Sequence, residues 1–250
     1  MEQLAFAAPF GLIIGSFLNV VAYRLPRGES LVRPRSRCTR CGEEVRAYDN
    51  VPVLSWLLLR GRCRHCGERI SARYPVVELV TAALFAAIVV VRGADARLAL
   101  ELPFAAMLVA VADIDLEHRI VPNRILLPLA IWGIAGGALL RTHDLPELLG
   151  AGGGAFAFLL LAALAYPAGM GMGDVKLAGV MGLYLGVSVV PALAVAFLAG
   201  SIVGLAIVAR HGAGARKRGV PFAPFMALGG AVALLAGPAL IHAYVTTFLR

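Results

Sequence analysis

Two aspartates stand where an otherwise apolar chain has little use for charge. Asp115 lies in Ala112-Asp113-Ile114-Asp115-Leu116-Glu117-His118-Arg119-Ile120-Val121-Pro122-Asn123, where an apolar run passes straight into acid and breaks near Pro122. Asp174 lies in Gly169-Met170-Gly171-Met172-Gly173-Asp174-Val175-Lys176, a glycine-rich turn that feeds the next apolar run. Carboxylates are costly inside a membrane and mark function by default when found there. Two that share one proton can do the work of an aspartic protease. The ionised one draws a proton from water while the protonated one polarises the scissile carbonyl. Gly171 and Gly173 let a substrate or a neighbouring helix approach the backbone, and Lys176 supports the motif. The plainer readings are that Asp174 caps a helix, Asp115 is interfacial and the glycines serve packing. Asp113 lies about 200° around a helix from Asp115, so it is read as supporting or lipid-edge. Glu78 and Glu101 lie in or beside apolar runs and could face a helix-bundle interior, and His118 could be near the aspartates.

The other chemistry-bearing set is Cys38-x2-Cys41 and Cys63-x2-Cys66, all four cysteines of the chain, with 21 residues between the pairs. Each CxxC turn presents two thiolates to one point, and two turns complete a tetrahedral S4 site of the structural zinc type. Gly42 and Gly67 directly follow the pairs and suit a tight knuckle backbone. Two disulfides, or an iron–sulfur cluster, are the alternatives. His65 reads as a surface residue, since four sulfurs close the shell. A loop this short and poor in large apolar residues needs the metal to fold.

These residues must be positioned by elements that live in lipid. Of 250 residues 60% are hydrophobic and 15% charged, with mean hydropathy +0.82, too apolar for a water-soluble domain. Eight apolar runs approach the ~20 residues that cross a bilayer as a helix. They cover Leu4 to Tyr23, Pro75 to Val91, Leu98 to Ala112, Ile125 to Leu140, Leu148 to Tyr166, Leu177 to Val190, Pro191 to Ala209 and Phe222 to Tyr244. Solid apolar blocks exclude a membrane β-barrel, whose strands alternate. The first run lacks a charged start and is expected to stay as a helix. The fold class is all-α polytopic membrane protein.

Basic residues orient the helices. With the amino terminus outside, 19 of the 23 Lys and Arg fall in cytoplasmic loops, 12 of them between Arg24 and Arg73, with Arg210, Arg216, Lys217 and Arg218 in the last. Only Arg92, Arg97, Arg141 and Arg250 fall outside. Both termini are therefore expected in the periplasm, the thiolate loop in the reducing cytosol where disulfides are rare, and Asp115 and Asp174, 59 positions apart, at one cytoplasmic edge. The net charge of +8 is explained by orientation and by contact with anionic lipid, so no nucleic-acid partner is expected.

The residues resemble those of bacterial type IV prepilin leader peptidases, bifunctional enzymes of pilus and type II secretion systems. The likeness runs through Gly15-Ser16-Phe17-Leu18-Asn19-Val20-Val21, Tyr23-Arg24-Leu25-Pro26-Arg27-Gly28-Glu29-Ser30 and both CxxC pairs. It continues in Tyr48-Asp49-Asn50-Val51-Pro52-Val53-Leu54-Ser55-Trp56, Arg73-Tyr74-Pro75, Glu78, the Asp115 segment with Pro122 seven positions on, and Gly171-Met172-Gly173-Asp174-Val175-Lys176. This resemblance implies cleavage of the leader of prepilins or pseudopilins by Asp115 and Asp174, then methylation of the new amino terminus from S-adenosylmethionine. It also implies a division into a first helix (1–23), a four-cysteine zinc domain tied to methylation (24–74) and a seven-helix peptidase domain (75–250). No Rossmann-type glycine fingerprint is present. Tyr48, Asp49, Asn50 and Glu78 are the methyl-donor candidates by polarity and position.

A proton- or sodium-coupled transporter would place its acids at midplane between repeats, whereas these lie at one edge. A zinc module that only recruits a partner leaves the Asp174 turn unexplained. Reporter fusions within 24–73 and after Arg210 should read cytoplasmic, and one after Arg141 periplasmic. A periplasmic reading after Arg210 would dismantle the shared edge of the two aspartates.

Overall fold

A computed structural model describes residues 2–167, 169–212 and 220–248; Arg216, Lys217, Arg218 and Arg250 of the orientation argument lie outside the described residues. Each expected apolar run becomes a helix, and the described residues form no strand. In order these are α1 (Glu2–Arg24), the one-turn α2 (Leu54–Leu58), α3 (Arg73–Arg92), α4 (Leu98–His118), α5 (Asn123–Leu140), α6 (Leu145–Ala165), α7 (Met172–Leu185), α8 (Val189–His211) and α9 (Ala223–Phe248). α4 runs six residues beyond the expected Ala112 end. Hydropathy falls at Asp113 but the hydrogen-bond ladder does not, so Asp113 and Asp115 sit on the helix. It ends where Arg119 turns left-handed at φ 55° and donates its N–H to the Asp115 carbonyl.

The chain divides into two compact units, Met1–Ala94 and Asp95–Arg250. In the first, α1 and α3 run antiparallel: a Cβ on Gly11 would stand 2.6 Å from the Ala82 Cα, and one on Gly15 2.6 Å from the Glu78 Cα. Lipid offers no hydrophobic gain for helix pairing, so close backbone approach through small residues does the work. Asn19 Nδ2 also donates to the Tyr74 carbonyl at 3.1 Å. Between these helices the chain forms the thiolate loop, tethered by the buried Arg24, which donates to the carbonyls of Ser30 (2.9 Å) and Pro34 (2.7 Å).

In the second unit α6 and α7 meet antiparallel at Gly152 and Gly182, where a Cβ on Gly182 would lie 2.6 Å from the Ala151 carbonyl oxygen and the Gly152 backbone. α8 pairs with α9, and α9 also lies along α4. The core is built around Phe104, stacked on Tyr184 with centroids 4.6 Å apart, and Tyr184 donates its hydroxyl to the Leu129 carbonyl at 2.7 Å. That bond and Arg141 Nη1 to the Tyr184 carbonyl, 2.9 Å, tie α5 and the segment after it to α7, satisfying polar groups that lipid would leave bare.

Gly182→Leu should force α7 off α6. We expect a cost of about 1–3 kcal/mol, read as a lower unfolding midpoint of the detergent-solubilised protein. Gly154→Leu, where an added Cβ meets nothing within 4 Å, should leave the midpoint unchanged.

Candidate functional site

Asp115 lies one turn from the end of α4, 5% exposed. Its Oδ2 accepts the Ala223 N–H, the first of α9, at 3.1 Å. The unpaired N–H groups of a helix start carry partial positive charge, so α9 presents a fixed donor to this carboxyl group. Asp174 sits in the first turn of α7, whose cap is Gly171 in extended conformation, and its N–H is bonded to the Gly171 carbonyl at 3.1 Å. Two residues separated by 59 positions in sequence thus lie near the end of α4 and the start of α7 within one unit.

The segment between α4 and α5 closes this arrangement. Gly173 packs against Val121 so tightly that a Cβ would stand 2.8 Å from the Val121 Cβ. Lys176 Nζ donates to Asn123 Oδ1 at 3.2 Å. Gly173 and Lys176 therefore hold the Asp174 turn against the end of the Asp115 motif, and Gly171 supplies the cap. Asn123 and the Ala223 N–H were not singled out from the sequence. Asn123 follows Pro122 at a helix start, a weak signal, and a backbone donor leaves none. Asp113 is 6% exposed and not at a lipid-facing edge. His118 follows Asp115 by one turn, its Nε2 3.7 Å from Glu117 Oε1.

In the first unit the four cysteines are free thiols whose sulfurs all lie within 4.8 Å of one another, Cys38 to Cys66 at 3.8 Å. Sulfurs ~2.3 Å from one ion at tetrahedral corners stand ~3.8 Å apart, so the set fits a single metal ion. An iron–sulfur cluster would spread the thiolates over several irons. The two knuckles repeat one geometry. Gly42 N–H bonds to the Cys38 carbonyl and Cys38 N–H to Glu43; Gly67 bonds to Cys63 and Cys63 to Glu68, all at 2.8–3.0 Å. Both glycines take left-handed backbone, φ +74° and +70°, which a side chain would strain. Backbone bonds at Cys41 and Arg40 draw the Cys38 thiol down to about 7. Cys66 is pushed up to about 11, because desolvation and the surrounding sulfurs outweigh the Glu68 backbone bond that favours its thiolate.

Of the four polar candidates, Tyr48 and Asn50 are exposed. Asp49 is gripped by Arg64, Nε to Oδ2 at 2.9 Å, which holds its carboxyl group below the usual range. Glu78, buried on α3, accepts the Val53 N–H at 2.8 Å. Ser55 completes the local fold by donating to the Tyr48 carbonyl at 2.9 Å and accepting the Val51 N–H at 3.1 Å. Glu101 lies half-buried in the first turn of α4.

Residues 10–92 match the family of bacterial peptidase A24 N-terminal domains, and residues 102–209 match the type IV leader peptidase family. A prepilin leader peptidase/N-methyltransferase of Bacillus subtilis (strain 168) is 39% identical over 242 residues, covering 94% of this chain and 95% of its own. One of Burkholderia pseudomallei (strain 1026b) is 37% identical over 273 residues, covering 94% and 86%. One of Aeromonas hydrophila is 36% identical over 273 residues, covering 96% and 93%. No solved structure matches the chain.

The S4 geometry generates a direct test. Elemental analysis of freshly prepared, reduced protein should find about one zinc per chain, and Cys63→Ser should lose it. Metal-free protein with an intact, protease-resistant loop would exclude the centre.

Proposed function

The chain belongs to the type IV leader peptidase family, and from that premise we propose that its second unit carries the peptidase, with Asp115 and Asp174 as catalytic residues. The protein processes type IV prepilins twice: it cleaves the leader and then methylates the exposed amino terminus. The observation that supports the catalytic assignment is the packing of the Asp174 turn against the end of the Asp115 motif, through the Gly173–Val121 contact and the Lys176–Asn123 bond.

In the proposed hydrolysis one carboxylate takes a proton from a water molecule, which attacks the scissile carbonyl carbon. The other, protonated, hydrogen-bonds the carbonyl oxygen as negative charge gathers there. The proton then passes to the leaving nitrogen, and the pair returns to sharing one proton. The Ala223 N–H holds Asp115 in one orientation, while the Gly173–Val121 and Lys176–Asn123 contacts set the approach of Asp174.

The first unit, with its four-thiolate centre, is assigned to methylation. Zinc suits the four thiolates and acts by holding the loop together. S-adenosylmethionine, when bound, supplies the methyl group to the new amine. Tyr48 and Asn50 are open to that donor, whereas Asp49 and Glu78 already hold Arg64 and the Val53 N–H and act as positioning residues. Substrates are prepilins and pseudopilins with short basic leaders, cut after a Gly that precedes Phe. The protein is a multi-pass inner-membrane protein. The distribution of basic residues supports periplasmic termini and a dyad on the cytoplasmic side.

Asp115→Asn and Asp174→Asn should each abolish leader cleavage, measured as product from a synthetic prepilin leader. The double variant should be no worse, because residues acting as a unit are non-additive. Methylation of an already cleaved substrate should survive in all three. Asp113→Asn should retain substantial cleavage, and its loss with retention at Asp115 would transfer the role to Asp113.

A further inference from the structure

Helix α2 is a single turn, yet its surroundings fix it rigidly and its outer face is apolar. Ser55 is buried and bonded at both ends of its hydroxyl. Trp56 Nε1 donates to the Ile70 carbonyl at 3.1 Å, with Gly61 pressed on its ring. The opposite face carries Leu54, Leu57 and Leu58, at the i, i+3 and i+4 positions that share one side of a helix. They are 59%, 58% and 82% exposed, and Val51 beside them is exposed as well.

The depth of this face follows from what α2 is tied to. Val53, a β-branched residue at φ +61°, is held in backbone that such residues avoid. In that conformation its N–H reaches Glu78. Glu78 lies five residues into α3, about 7.5 Å from its Arg73 start, and packs against Gly15 of α1, nine residues before the α1 end at Arg24. The start of α2 is therefore tied to a side chain rooted below the ends of two membrane-spanning helices, which seats it close to that rim, where a surface helix meets the boundary of headgroups and acyl chains. Directly after α2 come Arg60 and Arg62, both exposed, with Arg69 near them across the Arg62–Arg69 bridge. Between Asn50 and Arg73 the only acidic residue is Glu68, which is paired with Arg40 at 3.8 Å. An apolar ridge at this depth, followed by guanidinium groups, complements an anionic leaflet: acyl chains for the leucines and phosphates for the arginines.

We propose that α2 inserts into the leaflet from which the loop emerges, with Leu54, Leu57 and Leu58 among the acyl chains and Arg60 and Arg62 at the headgroups. It thereby seats the four-cysteine module on the lipid surface. This binding role is independent of either enzymatic activity.

The test uses the full-length protein in nanodiscs of phosphatidylethanolamine and phosphatidylglycerol, with acyl chains either plain or brominated. Two native tryptophans give a constant background. Leu58→Trp should add emission that brominated chains quench and aqueous iodide does not, and Leu54→Trp should behave the same way. Glu44→Trp, on the first knuckle, should add emission that iodide alone quenches. Iodide quenching at positions 54 and 58, shielding there from both quenchers as under a protein cover, or equal bromolipid quenching at position 44 would each overturn the proposal. None of these readings depends on prepilin cleavage, so they stand apart from the assignment of the aspartates.

Discussion

The bond from the Ala223 N–H to Asp115 Oδ2, at 3.1 Å, joins two requirements that would otherwise conflict. A carboxyl group near lipid must be given polar partners, and one proposed as catalytic must stay available to water and substrate. A helix start answers both, because its first N–H groups have no partner within the helix. α9 can donate one without losing any bond of its own. The cost falls on packing: α9 must lie along α4 with its first residue level with Asp115, and α8 must return the chain there. The pairing of α8 with α9 and of α9 with α4 follows from placing one donor.

A different constraint governs the loop of the first unit. Its described residues bury few large side chains: between Glu29 and Ala72 only Ser55 and Gly61 are buried. Conformational entropy of this length of chain is not offset by so small a core. Ties to structure made elsewhere replace the core: Arg24 at one end and Glu78 at the other, with the four cysteine sulfurs gathered between. The loop is thus held to its two helices at fixed points, and a strained Val53 is tolerated because Glu78 determines where its N–H must be.

The parts legible in the sequence were those with a strong local pattern. Apolar blocks marked every long helix, and the repeated CxxCG spacing marked the two turns whose four sulfurs the fold gathers within 4.8 Å of one another. The aspartates were legible because charge in such blocks is costly. What stayed hidden was whatever depends on a partner far along the chain. α4 continues through Asp113 and Asp115 since burial between helices, not hydropathy, decides where it ends. The Ala223 donor is a backbone group of a residue with no polar side chain. α2 carries no full period of any pattern in five residues, and its Leu face reads in sequence like a fragment of core.

The register of α6 and α7 locates the proposed chemistry in depth. Gly182 opposes Gly152, and Asp174 lies eight residues from Gly182 toward the start of α7, level with residue 160 of α6. α6 continues to Ala165, so Asp174 stands about 8 Å below that end of its partner helix. Asp115, three residues before the end of α4, is recessed by about 5 Å on the same scale. At the opposite end, the Val187 N–H after α7 is bonded to Glu147 at 3.0 Å and Arg141 to the Tyr184 carbonyl, which fixes α7 at a polar boundary. A helix of 14 residues anchored there rises only about 21 Å, short of the ~30 Å hydrocarbon thickness. The shortness of α7 is therefore what sinks its acidic first turn below the rim. Under the proposed mechanism water has to descend to the carboxyl groups, and a peptide bond cut there has to leave its own helix, since a helical carbonyl is already hydrogen-bonded. A glycine at the proposed cleavage junction suits that demand, because after proline it is the residue whose removal from a helix costs least.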